Sequence, residues 1–209
     1  LALGVFTQAK GLLFQDNFDR IMIGPDWTIV DDPYPSNPSR WTISNGRLME
    51  TSNIYRTNRE YDFWQGTHIV AGSSEWTDYE LSCEISSQDD DGFGAILRYV
   101  DKENYYRFIM VDDPTNGGPF RRLEKFVKGE RILLDEAKEG YESAHPYKLQ
   151  FLAYGDKLEV WLDGQKILEA KDNTFSSGKI GFMSYATDSL AIRSVKVRKT
   201  TGEPSDLSE

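Results

Sequence analysis

Five basic and aromatic residues on consecutive predicted strands are the side chains of this sequence best suited to recognise a sugar. They are Arg98, Tyr105, Arg107, Arg122 and Lys125. If Leu97 and Phe108 face the core, the alternation of side chains along a strand turns Arg98, Tyr105 and Arg107 to the opposite face, and Arg122 and Lys125 on the next strand would extend this set. A guanidinium fork beside an aromatic ring can bind a uronate carboxylate or sugar hydroxyls while the ring stacks on a pyranose. The pattern predicts a carbohydrate site on a concave sheet face.

The same arginines have a simpler interpretation, because sheets commonly use cross-strand ion pairs to set their register. The acidic partners available on neighbouring predicted strands are Glu80, Glu84 and Glu124. Exposed charges are commonplace on sheets, so this alternative competes directly with the sugar site.

A second group of large side chains lies in a stretch with little alternation, between residues 51 and 75. Tyr55, Tyr61, Phe63 and Trp64 cluster there. Large apolar side chains in a loop are either buried or at an interface. The cluster therefore predicts either a lid packed over one sheet or an exposed interaction loop, with Tyr61, Phe63 and Trp64 as its contact residues.

No catalytic constellation stands out. A chain with 34 acidic residues always offers pairs of carboxylates, so their presence alone does not indicate glycoside hydrolysis. The two histidines, His68 and His145, are far apart in sequence, which favours neither a metal cluster nor a Ser-His pair. An enzyme is therefore less well supported than a binding module.

Composition excludes several other classes. The formal net charge is −10, which would repel a phosphate backbone and makes nucleic acid an improbable partner. The single cysteine, Cys83, excludes an internal disulfide, and its position on an apolar strand face predicts a buried thiol. No window approaches the roughly 18 consecutive apolar residues of a membrane helix, so we expect no membrane insertion.

The elements that must position these side chains are short strands. Alternating apolar residues recur from residue 80 to residue 197, and reversals such as Lys128-Gly129 and Asp163-Gly164 separate them. The pattern predicts an all-β fold of antiparallel sheets. We expect one domain over residues 12–198, an acidic tail or linker over 199–209, and an N-terminal tail over 1–11. That N-terminal tail is either a signal remnant or a linker cut from a longer polypeptide.

Seven segments together resemble a known family. They are DNFD (16–19), WTISNG (41–46), WTDYELS (76–82), DGFGAILR (91–98), NYYRF (104–108), KLEVWLDG (157–164) and SGKIGF (177–182). In this order they are similar to the concanavalin A-like (laminin G-like) jelly rolls of bacterial multimodular proteins, over most of the chain. The resemblance implies a two-sheet antiparallel jelly-roll sandwich. It also implies a non-catalytic module of extracellular enzymes, adhesins or phage-tail-like injection assemblies.

The resemblance further implies a Ca²⁺ site at the entry strand. Asp16 and Asp19 flank Phe18 there, and modules of this kind complete the site with an acidic residue from the final strand. The matching stretch here, 192–195, lacks an aspartate, and Asp188 is the nearest in sequence. Calcium takes six to eight oxygen ligands, so carbonyls and water would have to supply the remainder. The acidic run Asp89-Asp90-Asp91 is more typical of a solvated turn.

These observations favour an extracellular, non-catalytic module that recognises carbohydrate on a concave face. One alternative is a structural component that contacts protein in a larger extracellular or injection-type assembly. Another is a hydrolase or lyase acting on polysaccharide, which would need carboxylates converging in the groove.

Overall fold

The computed structural model describes residues 11–32, 35–55 and 65–206. Within these ranges the chain forms fifteen strands and one short 3₁₀ helix, Pro114–Asn116. The strands are β1 Leu12–Asp16, β2 Trp27–Asp31, β3 Trp41–Ser44, β4 Arg47–Glu50, β5 Thr67–Ala71, β6 Tyr79–Ser86, β7 Gly92–Asp101, β8 Asn104–Val111, β9 Phe120–Val127, β10 Glu130–Ala137, β11 Tyr147–Tyr154, β12 Lys157–Leu162, β13 Gln165–Lys171, β14 Lys179–Tyr185 and β15 Leu190–Lys199.

The strands pair antiparallel in two sheets, which confirms the predicted all-β sandwich. One sheet has eight strands in the order β13-β12-β11-β6-β15-β4-β3, with β1 paired to β15. The other has seven, in the order β10-β9-β8-β7-β14-β5-β2. The reversals fall where the sequence places them. Lys128 (φ 54°) and Gly129 (φ 81°) join β9 to β10, and Asp163 (φ 51°) and Gly164 (φ 78°) join β12 to β13. Two consecutive positive φ angles match the right-handed twist of a tight hairpin.

The main core lies between the two sheets. Phe108 and Phe182 of the seven-stranded sheet and Phe151 of the eight-stranded sheet are fully buried in it, and Trp27 and Trp41 are each 6% exposed. Cys83 is buried there as predicted, and burial raises the pKa of its thiol. The alternate residues of β6, β8 and β11 supply these inward side chains, as the period of two requires.

The seven-stranded sheet is also buried on its outer face. A second apolar cluster lies there, with Ile96, Tyr105, Ile109, Phe126 and Met183 among its members. Strands β7, β8 and β14 are therefore covered on both sides. Such strands read in sequence as near-continuous apolar runs, which is what GFGAILRY and YYRFIMV show.

The C-terminal segment is part of the fold as far as it is described. The backbone N–H of Ser205 donates to Glu80 Oε2 at 2.7 Å, and its carbonyl accepts from Gln150 at 2.8 Å. Ser205 thus lies on the outer face of the eight-stranded sheet, within the stretch that the sequence predicts to be an acidic tail or linker. Across the described part of the chain, helices are too short to traverse a bilayer.

Candidate functional site

Polar residues gather on the outer face of the seven-stranded sheet, and we refer to His68, Tyr105, Arg107, Arg122 and Glu124 as the sheet-face cluster. Alternation along β8 turns Tyr105 and Arg107 away from the core, because Tyr106 and Phe108 belong to it. On β9, Arg122 and Glu124 alternate with the core residue Leu123 in the same way. Arg107 lies directly opposite Glu124 in the register of the two strands. The sequence prediction therefore has the correct face for Tyr105, Arg107 and Arg122.

The centre of the sheet-face cluster is a buried ion pair. Arg107 donates from Nη2 to Glu124 Oε2 at 2.6 Å and from Nε to the same oxygen at 3.0 Å, and both side chains are 1% exposed. The guanidinium carbon lies 4.6 Å from the centre of the Phe126 ring. Arg131 of β10 reaches the second oxygen, Glu124 Oε1, at 3.4 Å. The cross-strand pairing alternative is thus confirmed for Arg107 and Glu124, and Arg107 is not the exposed ligand that the sequence predicts.

Tyr105 and His68 lie beside this ion pair and are equally buried. Their ring centres are 5.2 Å apart with an edge-to-face angle of 82°. Burial, helped by the positive charge of Arg107, lowers the pKa of His68 to about 3, so the ring is neutral near pH 7; the nearby Gln65 backbone opposes this only in part. Within the described residues, neither the Tyr105 hydroxyl nor a His68 ring nitrogen has a well-formed hydrogen bond. The sequence predicts that Tyr105 is exposed and stacks on a sugar. In the structure Tyr105 is buried, and its hydroxyl makes no well-formed hydrogen bond with the described residues.

The accessible edge of the cluster is formed by Arg122 together with two residues of β10, Arg131 and Glu136. We name these three residues the rim. Arg122 Nε donates to Glu136 Oε2 at 2.6 Å, and its guanidinium carbon stacks 3.7 Å from the centre of the Phe120 ring. Arg122 and Glu136 are 20% and 15% exposed, and Arg131 is 30% exposed. Lys138 also pairs with Glu136, and hydrogen bonds from Lys138 and Arg122 lower the pKa of its carboxyl. The rim thus offers fixed, oriented donors and an ionised acceptor to solvent.

Sequence reasoning missed Arg131 and Glu136. They are five residues apart on β10, which would place them on opposite faces of a regular strand. A register shift between Leu133 and Asp135 inserts one extra residue and returns both to the same face. The sequence shows that both residues are polar within an alternating strand, but it does not show the bulge that aligns them.

Arg98, predicted to be one of the sugar-binding residues, does not lie with the others. It sits at a bulge in β7 with φ 46°, so its side chain turns away from the sheet-face cluster. The guanidinium, 1% exposed, donates to the carbonyl oxygens of Thr77, Gly155 and Phe175 at 2.9 to 3.2 Å. Gly178 packs so closely on this bulge that a Cβ there would lie 2.4 Å from the carbonyl carbon of Arg98. Arg98 is therefore a structural clamp between loops.

Lys125, also predicted to be a sugar-binding residue, lies on the opposite face of its strand. It shares the core-side face of β9 with Leu123, and its Nζ donates to Asp172 at 2.5 Å and to Thr174 at 2.9 Å. Although burial alone would raise it, hydrogen bonds from Lys125, Thr174 and Tyr106 lower the pKa of Asp172 to about 2. Lys125 thus holds the β13–β14 connection and does not extend the sheet-face cluster.

The three aspartates predicted to bind calcium do not come together. Both Asp16 oxygens already accept hydrogen bonds, at 2.7 Å each from Arg20 and at 2.8 Å each from Trp27 Nε1 and the Phe18 N–H. Although burial alone would raise it, these bonds hold the pKa of Asp16 below its usual value. Asp19 is exposed, and Asp16 pairs with Val195, about 16 Å along β15 from the end near Asp188. Asp16, Asp19 and Asp188 therefore do not fit one Ca²⁺ site.

Asp188 belongs instead to the neighbourhood of the acidic turn. Its N–H donates to Asp89 Oδ2 at 3.3 Å, and carboxylate oxygens of Asp89, Asp90 and Asp91 lie within 4.8 Å of one another. Burial and the adjacent charges of Asp89 and Asp113 raise the pKa of Asp91 to about 6, although Asn116 hydrogen-bonds to it. Calcium binding by this chain stays a prediction.

The predicted interaction loop, Tyr61, Phe63 and Trp64, lies outside the described residues. Tyr55, at the preceding end of that stretch, is 47% exposed. Its N–H donates to Ser36 Oγ at 3.0 Å, and its carbonyl accepts from the Ser36 N–H at 2.8 Å.

Comparison with known proteins supports the fold and shows which kinds of protein share it. The chain is 24% identical over 151 residues to a levanase of Bacillus subtilis, a stretch that is 71% of this chain and 21% of the levanase. The chain therefore spans about a fifth of the length of that relative. No protein-family model matches the sequence.

Among solved structures, the carbohydrate-binding module CBM66 from Bacillus subtilis superimposes with a TM-score of 0.66 at 19% identity, covering 83% of this chain and 96% of the module. An endo-β-1,3-glucanase from Pyrococcus furiosus superimposes with a TM-score of 0.61 at 12% identity, covering 90% and 94%. At these identities the similarity defines the fold. The chain has the two-sheet fold of a concanavalin A-like jelly roll.

Proposed function

We propose that this chain is a non-catalytic carbohydrate-binding module. The observation that carries the proposal is the levanase similarity, which takes in 71% of this chain but only 21% of the enzyme. A shared stretch of that size has the dimensions of an accessory domain. The CBM66 fold, matched over 96% of its length, is an isolated binding module of the same shape. Fold alone does not define function, so the argument also needs a site.

We place the sugar site at the rim of the sheet-face cluster. Arg122 presents donors fixed by its stacking on Phe120 and by its bond to Glu136, and Glu136 presents an acceptor beside them. Adjacent sugar hydroxyls require such donor and acceptor groups in fixed positions, usually near an apolar surface. The buried Arg107–Glu124 pair lies on the same face and holds Arg131 through Glu124 Oε1. The proposed ligand contacts are thus Arg122, Arg131 and Glu136.

The proposed role belongs outside the cell, because polysaccharides do not diffuse through a bilayer. This export, which the sequence also predicts, is part of the proposal.

The experiment is a binding screen of the chain against polysaccharides, with levan in the panel because of the levanase similarity. Arg122→Ala should weaken binding at least about tenfold, the loss expected for a charged hydrogen-bonding group. Lys166→Ala is the matched control, because Lys166 is also a partly exposed, ion-paired cation but lies on the other sheet. Equal binding by Arg122→Ala and wild type would contradict the rim as the site. No binding to any polysaccharide would contradict the module itself.

A second candidate function is protein-protein interaction, favoured by one exposed apolar feature. Ile21 and Met22, in the connection between β1 and β2, are 87% and 73% exposed. Neighbouring large apolar side chains on a surface are typical of contact sites. Co-purification of a partner with the wild type and its loss in Ile21→Ser/Met22→Ser would favour this alternative. Release of reducing sugar or of an unsaturated uronate would instead favour the hydrolase or lyase alternative.

A further inference from the structure

The outer face of the eight-stranded sheet carries a polar groove that the proposed function does not use. It consists of two clefts, of about 400 Å³ and about 280 Å³, which meet at Glu84. The first cleft includes Ser82, Lys148, Ser194 and Arg198 in its lining, and the second includes Ser86 and Arg193. These side chains belong to three adjacent strands, β11, β6 and β15.

Small residues on β6 form the floor of the groove, and long residues on its neighbours form the walls. Ser82 lies between Gln150 of β11 and Lys196 of β15 in the register of the sheet. Two residues further along β6, Glu84 lies between Lys148 and Arg193. A register shift in β15 between Arg193 and Lys196, with Ser194 at φ 56°, interrupts the hydrogen-bond ladder and bends the strand at this point. The depression is therefore a consequence of residue sizes and of one bulge.

The C-terminal segment closes one end of the groove. Ser205 and Asp206 line the first cleft, and Ser205 is held there by its hydrogen bonds to Glu80. Glu80 is itself 2% exposed and accepts a further bond from Gln150 at 3.1 Å. This wall is thus fixed by a buried carboxylate.

The first cleft of the groove contains cations that are not paired with carboxylates of the described residues. The chain has a net charge of −10, and the three cations of β8 and β9 described above, Arg107, Arg122 and Lys125, are each paired with a carboxylate. Lys148 and Arg198 line the groove and make no ion pair with any residue that the structure describes. Between them, Glu84 is already neutralised by Arg193 Nε at 2.6 Å. Lys196 and Asp206 also line the first cleft, so its three cations outnumber its two carboxylates. The cleft therefore has a net positive charge on an acidic protein.

The spacing of the two cations defines the size of the ligand. Lys148 lies opposite Glu84 and Arg198 lies opposite Glu80, on the two strands that flank β6. Strand spacing and rise then put their Cα atoms about 16 Å apart. A short oligosaccharide spans that distance and a single sugar does not.

We propose that this groove binds a carboxylate-bearing oligosaccharide, as a second site separate from the rim. The sugar carboxylates pair with Lys148 and Arg198, since a guanidinium matches a carboxylate with two parallel hydrogen bonds. The hydroxyls of the sugar meet Ser82, Ser194 and the amide of Gln15, which all line the same cleft. The charge of the groove selects acidic over neutral chains.

The test is calorimetric titration of the wild-type chain with trigalacturonate and with galactotriose, its neutral counterpart. We expect trigalacturonate to bind, with an affinity that falls as salt rises, and galactotriose to bind at least about tenfold more weakly. Arg198→Gln and Lys148→Gln should each weaken the binding of trigalacturonate about tenfold. Lys166→Gln is the matched control, because Lys166 lies on β13 outside the groove and should leave binding unchanged.

Equal binding of the two trisaccharides, no binding at millimolar trigalacturonate, or full binding by Arg198→Gln and Lys148→Gln would each overturn the proposal. Melting curves of the variants establish that they are folded. Arg122→Ala separates the two sites, because it should leave trigalacturonate binding intact whether or not the rim binds a glycan.

Discussion

Arg107 on β8 and Glu124 on β9 form an ion pair in which each side chain is 1% exposed, at the centre of the outer face of the seven-stranded sheet. Two charges removed from water gain little over apolar residues of the same volume, but either charge alone would be costly. Replacing only one of the two residues therefore leaves its partner's charge buried without its main counter-ion. The pair also determines how the cluster responds to substitution.

Arg107→Met should lower the free energy of unfolding by about 3–5 kcal/mol, because it leaves the Glu124 carboxylate buried without its main partner. Arg107→Met/Glu124→Leu should recover much of that loss. Denaturant unfolding measures both. Arg193→Met, which breaks the exposed pair with Glu84, is the control and should cost no more than about 1 kcal/mol. An Arg107→Met protein as stable as the wild type would contradict the buried pair.

Truncation after Lys199 should lower the free energy of unfolding by about 1–2 kcal/mol, because Glu80 and Gln150 then lose their bonds to Ser205. The loss is moderate since water replaces the missing partners. Ser205→Ala is the finer test, because it removes the hydroxyl and keeps the backbone N–H. It should cost less than the truncation, and a truncated chain with unchanged stability would show that residues 200–206 do not hold to the sheet in solution.

Asp16→Ala should lower the free energy of unfolding by about 2–3 kcal/mol, because Trp27 Nε1, Arg20 and the Phe18 N–H lose their acceptor. Asp19→Ala is the control, since Asp19 is exposed, and should have little effect. Thermal melting with and without millimolar Ca²⁺ completes the experiment. If Asp16 is the structural acceptor described here, Ca²⁺ shifts wild type and Asp16→Ala equally; a shift that Asp16→Ala abolishes would restore the entry-strand calcium site.

Much of the sheet architecture could be predicted from alternation and turn residues. The face of Tyr105 and Arg107 follows from the period of two, and the hairpins at Lys128-Gly129 and Asp163-Gly164 follow from backbone chemistry. Accessibility could not be predicted, because alternation tells which face a residue occupies but not whether another layer covers that face. Apolar residues on both faces of β8 were the available indication.

Where the sequence predicts the wrong surroundings for a site residue, the cause is local. The bulge at Arg98 reverses one side chain, and the bulge in β10 aligns Arg131 with Glu136, yet neither position carries a residue that demands a bulge. The role of Asp16 as a structural hydrogen-bond acceptor could not be predicted, because its partner Trp27 is eleven residues away and no local pattern links them. The groove beside Ser82 depends on strand order across three elements distant in sequence.

His68 should make the fold sensitive to acid. Its pKa is about 3 in the folded state and about 6.5 in the unfolded chain, so only the unfolded state takes up a proton between these values. Its contribution to stability is complete above pH 6.5 and is lost as the pH falls, by up to about 1.4 kcal/mol per pH unit.

Asp91, with its raised pKa, acts in the opposite direction, since its contribution to stability is present below about pH 4 and is lost as the pH rises through about 6. The measurement is therefore the difference in unfolding free energy between wild type and His68→Gln, taken from pH 4 to pH 7. Because glutamine does not titrate in this range, the variant should lose less stability on acidification than the wild type does. Parallel pH profiles for the two proteins would show that His68 takes up its proton without opening the sheet-face cluster.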